Sequence, residues 1–198
     1  MDKETFLQVV IFGVIAIGIY MYLANKDTID LKCVISSVDG NKYCVRDRKE
    51  LHAAADLLAR TTEKCKRLVD YVYEKYPDQD NVKRLHKGFN PKQIMETLPT
   101  SEHTAYSENK GEKIAFCLNK KNEDNTHLID ENTLTFVAIH ELSHVATKSI
   151  GHKSEFWENF KFLLNEAKEA GLHQPTDYKK APGEYCGMKI SDNPYYDG

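Results

Sequence analysis

The sequence predicts an α+β domain with a small antiparallel sheet, preceded by one apolar helix long enough to cross a bilayer. Three observations lead there: a charge-free apolar run at residues 5–24, later segments whose apolar residues recur at three- and four-residue steps, and two short strand-turn-strand patterns built around glycines. With 198 residues and 41% hydrophobic content, the chain has room for one compact domain and a short appendage, but not for two full domains. The expected division is residues 1–24 as tail and transmembrane helix, 25–46 as short linker and β-hairpin, and 47–198 as the main domain.

Residues 5–24 hold only Thr5 and Gln8 as clearly polar members. Twenty helical residues span roughly 30 Å, the hydrocarbon thickness of a bilayer. Tyr20 and Tyr22 sit at one end, where amphipathic rings favour the headgroup boundary. A cleaved signal fits less well, because the run exceeds a usual h-region and Asp2, Lys3 and Glu4 do not make a basic n-region. Lys3 alone precedes the span, whereas Lys26, Lys32, Lys42, Arg46 and Arg48 follow it, so the positive-inside rule puts the C-terminal domain in the cytosol.

Residues 31–36 and 42–45 read as a hairpin around Asp39-Gly40. Asp47-Arg48-Lys49-Glu50 has the form of a capping box. A scaffold helix follows, with Leu51, Ala55, Leu58, Thr62, Cys65, Val69, Val72 and Tyr76 on one face, until Pro77 ends it. Residues 81–98 suggest one or two short helices broken before Pro91. Residues 104–118 turn to strand, turn and strand about Asn109-Lys110-Gly111, and a polar loop at 119–126 leads to a helix from Asp130 or Asn132 to about Ile150. A last amphipathic helix occupies residues 154–170 and ends at Gly171; the Pro-, Gly- and Tyr-rich tail is expected to pack irregularly.

Five cysteines without a C-x-x-C pair point to free, reduced thiols. A two-residue turn at Asp39-Gly40 would set Cys44 opposite Ile35, so bridging Cys33 to Cys44 needs another register. The net charge of −3 argues against nucleic acid as a partner held by bulk electrostatics, and the basic stretch Lys110, Lys113, Lys120, Lys121 reads as solvated surface.

The chemistry lies in His140-Glu141-Leu142-Ser143-His144. Histidines four apart share a helix face and can place two imidazole nitrogens on one Zn²⁺, while Glu141, one step round, reaches a water instead of the metal. In such H-E-x-x-H sites zinc acidifies the water and polarises a carbonyl, and the glutamate takes the proton and delivers it to the leaving amine. The motif sits among Leu134, Phe136, Val137, Ile139, Leu142 and Val145, where two histidines and a glutamate carry a desolvation cost that packing alone would not explain.

Together with Gly151-His152-Lys153-Ser154-Glu155-Phe156-Trp157, this motif resembles the SprT-like and WLM groups of zincin metallopeptidases over residues 134–164, a resemblance that reaches into proteins of large DNA viruses. It implies a minimal zincin-like fold and a zinc-dependent endopeptidase with Glu141 as general base. It also makes His152 the third ligand beside His140 and His144, followed four residues on by the aromatic Phe156, although the connection to His152 is longer than the common WLM spacing. It further assigns extended peptide binding to an edge strand, here Lys113, Ile114, Ala115, Phe116, Cys117 and Leu118. Tyr178, Tyr185 and His173 are candidates to fold over the cleft, the two tyrosines as oxyanion stabilisers. Glu155 and Glu158 are alternative oxygen ligands, His103 a residue that would border the cleft, and Met188 a candidate for a methionine turn under the metal. The expected partners are a protein or peptide substrate and, through the first helix, a membrane. Two other readings stay open: a membrane-tethered binding module stabilised by zinc without catalysis, and a protease acting on DNA-crosslinked proteins.

Overall fold

A computed structural model describes residues 3–24, 31–119 and 127–197. The first helix, α1 (Lys3–Ala24), is long and apolar enough to cross a membrane, and its large side chains are exposed, Phe12 by 71%. Such a face needs an apolar partner, lipid or protein. Then come strands β1 (Lys32–Ile35) and β2 (Lys42–Val45), helices α2 (Leu51–Lys75) and α3 (Asp80–Gly88), and strands β3 (Ile94–Glu96), β4 (Ala105–Glu108) and β5 (Lys113–Phe116). Helices α4 (Glu131–Ala146) and α5 (Ser154–Glu169), strands β6 (Gly183–Tyr185) and β7 (Met188–Ile190) and a 3-10 turn at Pro194–Tyr196 complete the chain. The mixed α+β class matches the sequence reading.

Helix α4 is apolar on nearly every side and therefore takes the centre. Leu134, Ala138 and Leu142 are fully buried, and α2, α3 and α5 pack around it. Asp130 caps it by accepting from the Thr133 N–H at 2.9 Å. Glu131, in its first turn, is held by Arg60 and Lys64 of α2 at 2.8 and 2.6 Å. These cations keep its carboxyl below the usual range, with Lys64 the larger influence. The helix stops at Ala146 rather than near Ile150, because the Thr147 backbone turns extended and its hydroxyl donates to Ser143 O at 2.7 Å.

The principal sheet has the order β3-β5-β4, with β3 parallel and β4 antiparallel to β5. It is mixed where the sequence suggested antiparallel. The difference is β3, three residues inside the stretch read as helical, which pairs Ile94 with Ile114 and buries Ile94 and Glu96. This order also corrects the edge strand. Lys113, Ile114, Ala115 and Phe116 form the middle strand, paired on both sides, and Ile114 to Phe116, Cys117 and Leu118 are buried, so the edges are β3 and β4, of which β4 is the one beside the histidine-bearing cleft. The tail is likewise more regular than expected, since β6 and β7 make an antiparallel hairpin. The loop at residues 119–126 falls, beyond Asn119, outside the described residues.

The N-terminal hairpin has a six-residue connection, residues 36–41, not a two-residue turn, because Ser36, Ser37 and the Val38 N–H fold it onto itself and onto Asp56 of α2. The longer connection places Cys33 opposite Cys44, and the two form a disulfide. A second disulfide joins Cys117 to Cys186 across 69 residues. The expectation of free thiols therefore fails for these four, and only Cys65 is free, buried and pushed up to about 12 by desolvation. The expected capping box is absent too: Asp47 pairs with Lys32 at 2.6 Å, and Glu50 makes no cap hydrogen bond. Arg48 instead reaches the buried Glu96, which also accepts the Arg46 N–H at 2.7 Å. Arg46 extends to the carbonyls of Thr97 and Leu98 at 2.7 and 2.8 Å, so the hairpin is fastened to β3 through a satisfied buried carboxylate.

His173, offered by the sequence as a cleft residue, packs instead behind Phe136, 2% exposed, with neither ring nitrogen bonded to a partner among the described residues. Burial first, and the Lys64 charge second, depress its pKa to about 4. The neutral ring is thus favoured by the fold, and the unfolded chain takes up the proton first as pH falls. Stability present above about pH 6.5 is lost between there and about pH 4, by about 3 kcal/mol for this residue. Urea titrations of the metal-free chain across that range should show the slope, and His173→Phe should reduce it by this residue's share, with His140 and His144, also depressed by burial, keeping the rest; an unchanged slope would remove His173 as a contributor.

Candidate metal centre

His140 and His144 project from the one face of α4 that its neighbours leave open, and His152 arrives from the loop before α5. The His152 Nε2 lies 3.1 Å from His140 Nε2 and 3.2 Å from His144 Nε2. Ligands about 2.0–2.1 Å from a tetrahedral zinc are roughly 3.4 Å apart, close to both of these separations, and all three donor atoms lie within 4.8 Å of one another. The three histidines are the cluster of potential metal donors among the described residues. Their lone pairs converge only if the rings are neutral, and the surroundings favour that form. Burial, then His144 and His152, bring His140 to about 3; burial, then His152 and Lys110, bring His144 to about 4.

Phe156 is the floor of this arrangement. Fully buried in the first turn of α5, its ring lies 4.9, 4.4 and 4.5 Å from the rings of His140, His144 and His152. Trp157 steadies the third from outside, its indole N–H donating to the His152 carbonyl at 3.2 Å. Gly151, at φ +78°, supplies the chain reversal that His152 requires. Glu155 turns away from the trio to accept the backbone N–H groups of Lys148 and Ser149, and Glu158 is exposed.

The trio opens into a cleft of about 790 Å³. Its walls include Thr104 and the β4 residues Ala105 to Ser107, Phe136 and Val137 one turn before His140, Ile150 at the rim, and Tyr185, Met188 and Ile190 of the C-terminal hairpin. Glu141 faces this cleft, 4% exposed, with its carboxyl raised to about 8 by burial. His103 borders it, as the sequence suggested.

Tyr185 and Tyr178 separate. Tyr185 lines the cleft, and its phenol is raised above the ordinary range by burial and then by the Glu141 charge. Its hydroxyl, however, donates to the Thr104 carbonyl at 3.2 Å, so it anchors the start of β4. Tyr178 stacks edge-on against Phe136 from outside the cleft lining, with ring centroids 5.1 Å apart. Met188 is a wall residue, 51% exposed, whose sulfur accepts from the Thr104 hydroxyl at 3.6 Å, and it is not a turn beneath the histidines. The hairpin it belongs to is tied down beside β5 by the Cys117–Cys186 disulfide. The β4 edge and this fastening had no signal in the sequence, since both depend on long-range pairing.

No family model matches the chain, and no solved structure matches it. Its relatives include an uncharacterized protein of Acanthamoeba polyphaga mimivirus, 27% identical over 195 residues that span 96% of this chain and 98% of the relative. An uncharacterized protein of Invertebrate iridescent virus 6 is 33% identical over 98 residues, 49% of this chain and 53% of the relative. A third, from Invertebrate iridescent virus 3, is 39% identical over 59 residues, 30% of this chain and 36% of the relative. These likenesses bring no activity with them.

Proposed function

We propose that this chain is a membrane-anchored zinc metallopeptidase of zincin type that cleaves within polypeptides. The observation that carries the reading is the convergence of three imidazole nitrogens at 3.1 and 3.2 Å beside a buried glutamate in an open cleft. The donor set fits zinc: three neutral imidazoles, no thiolate, and an approach from the cleft that leaves a fourth position available. Structural zinc sites usually close all four positions with protein, which favours catalysis over a binding module. His140, His144 and His152 would hold the ion. When bound, zinc supplies Lewis-acid polarisation of a carbonyl and makes water acidic near neutral pH.

The chain's own groups do the rest. Glu141, raised by burial alone, would be returned to its carboxylate form by a cation held on the neighbouring histidines, and it then takes a proton from the attacking water on its carboxylate oxygen and returns it to the departing amine nitrogen. An extended substrate pairs with the open edge of β4 through backbone hydrogen bonds, so affinity comes from the main chain and selectivity from the walls. Those walls, Phe136, Val137, Met188 and Ile190, favour apolar side chains next to the cleaved bond.

Anchoring rests on α1. Two disulfides persist where thiols are oxidised, and this outweighs the lysine and arginine count that suggested a cytosolic domain. The proposal therefore places the catalytic domain in an oxidising compartment. The direct test incubates the zinc-loaded full chain, in detergent, with a mixed peptide library and reads cleavage by mass spectrometry. Cleavage that a chelator abolishes and zinc restores is expected; an intact library with one equivalent of zinc bound would leave the chain a binding module.

A further inference from the structure

The segment that delivers His152 is held by charged side chains for which the chemistry above has no use. Residues 147–153 run without helix or strand between α4 and α5. From one side, Glu155 turns back, its Oε1 accepting the Lys148 N–H at 3.0 Å and its Oε2 the Ser149 N–H at 3.2 Å. These backbone donors are the first causes of its lowered carboxyl pKa. Arg84 of α3 stands behind it, bonded to Glu155 at 3.2 Å and donating to the Ala146 carbonyl at 2.8 Å. From the other side, the Lys110 ammonium donates to the carbonyls of His144, Thr147 and Ser149 at 3.3, 2.8 and 2.9 Å. Those carbonyls belong to the end of α4 and the segment beyond it, where backbone acceptors lack helical partners and a cation is favoured.

Lys110 reaches this place because its turn is seated unusually close. Asn109 and Lys110 both take positive φ, 46° and 59°. A Cβ on Gly88 would lie 2.6 Å from the Lys110 carbonyl oxygen and 2.8 Å from Val145, and one on Gly111 would lie 2.7 Å from the Gly88 oxygen. Two glycines thus let the β4–β5 turn touch the end of α3 and the last turn of α4 together. A surface lysine without such a seat would remain solvated.

We propose that Lys110 and Glu155, backed by Arg84, are positioning residues for the third metal ligand, holding residues 147–152 in ligating shape before an ion arrives. The proposal rests on the zinc reading of the histidines. A segment left free would have to be ordered on binding, and that lost entropy would be subtracted from zinc affinity. Groups that orient metal ligands typically carry 10–100-fold in affinity.

The test measures zinc affinity of the full chain in detergent against a competing chromophoric chelator, together with the melting temperature of the metal-free protein. Glu155→Ala and Lys110→Met should each weaken zinc binding by about 10–100-fold, with metal-free melting within a few degrees of the parent. Lys110→Arg, which keeps the donors, should recover most of the affinity. Should Glu155→Ala fail to fold, Lys110→Met decides, because its side chain leaves a surface turn. Affinities within about threefold of the parent overturn the proposal, and so does loss of the metal-free fold in both variants. A parent chain that takes up no zinc overturns the metal reading as well, whereas parental uptake with unaffected variants overturns this proposal alone.

Discussion

Glu141→Gln is expected to lower peptide cleavage by about 10²–10⁴-fold while the chain still binds one equivalent of zinc. Glutamine is nearly isosteric and keeps a polar group in the same buried niche, 4% exposed between α4 and the cleft. It cannot accept a proton at neutral pH, and that is the only property the proposed step requires of it. The three imidazoles are untouched, so a chelator competition should return the parental zinc affinity within a small factor. Cleavage surviving at parental rate with zinc bound would remove Glu141 as the base. Loss of zinc together with cleavage would show that Glu141 supports the ligands instead.

The second large effect concerns the far wall of the cleft. Replacing Cys117 and Cys186 by serine opens a loop of 69 residues, for which chain entropy predicts a loss of about 4 kcal/mol. At this chain length such a loss corresponds to roughly 8–16 °C in melting temperature. The consequence for function is more specific. Tyr185, Met188 and Ile190 line the cleft from the hairpin that Cys186 anchors, and Tyr185 and Met188 hold Thr104 at the start of β4. Cleavage per folded molecule should therefore fall in the Cys117→Ser, Cys186→Ser variant and on reduction. The matched Cys33→Ser, Cys44→Ser variant, whose bridge lies in the N-terminal hairpin, should lose stability and keep its cleavage. Equal activity in the two double variants, measured well below their melting temperatures, would contradict the role given to the C-terminal hairpin.

What the sequence made legible was governed by local rules. The buried faces of α2 and α5 appear as apolar residues three and four apart, and the histidines of α4 as an i, i+4 pair. Asp130 and Gly171 mark helix ends by their chemistry, and the structure uses both as such. What stayed hidden depends on partners distant in the chain. Strand β3 is three residues long and exists because it pairs parallel with β5, so no alternation announces it. The edge of the sheet passed from β5 to β4 for the same reason. Cys33–Cys44 was disfavoured because a two-residue turn gives the wrong register, which the longer connection changes, and Cys117–Cys186 has no local signal because the folding of the tail brings its sulfurs together. At the site, the histidines and Glu141 were readable as a motif. Lys110, Arg84 and Glu155 were not, because each looks like an ordinary charged surface residue until the end of α4 is placed against the β4–β5 turn.

X-ray absorption at the zinc edge of the loaded full chain tests the central claim most directly, because it counts ligands without depending on a substrate. Three imidazole nitrogens at about 2.0–2.1 Å and one further light atom, falling to two imidazoles in His152→Ala, is the expected result. A spectrum with sulfur in the first coordination sphere, or one unchanged by His152→Ala, would contradict the three-histidine site and the hydrolytic chemistry built on it.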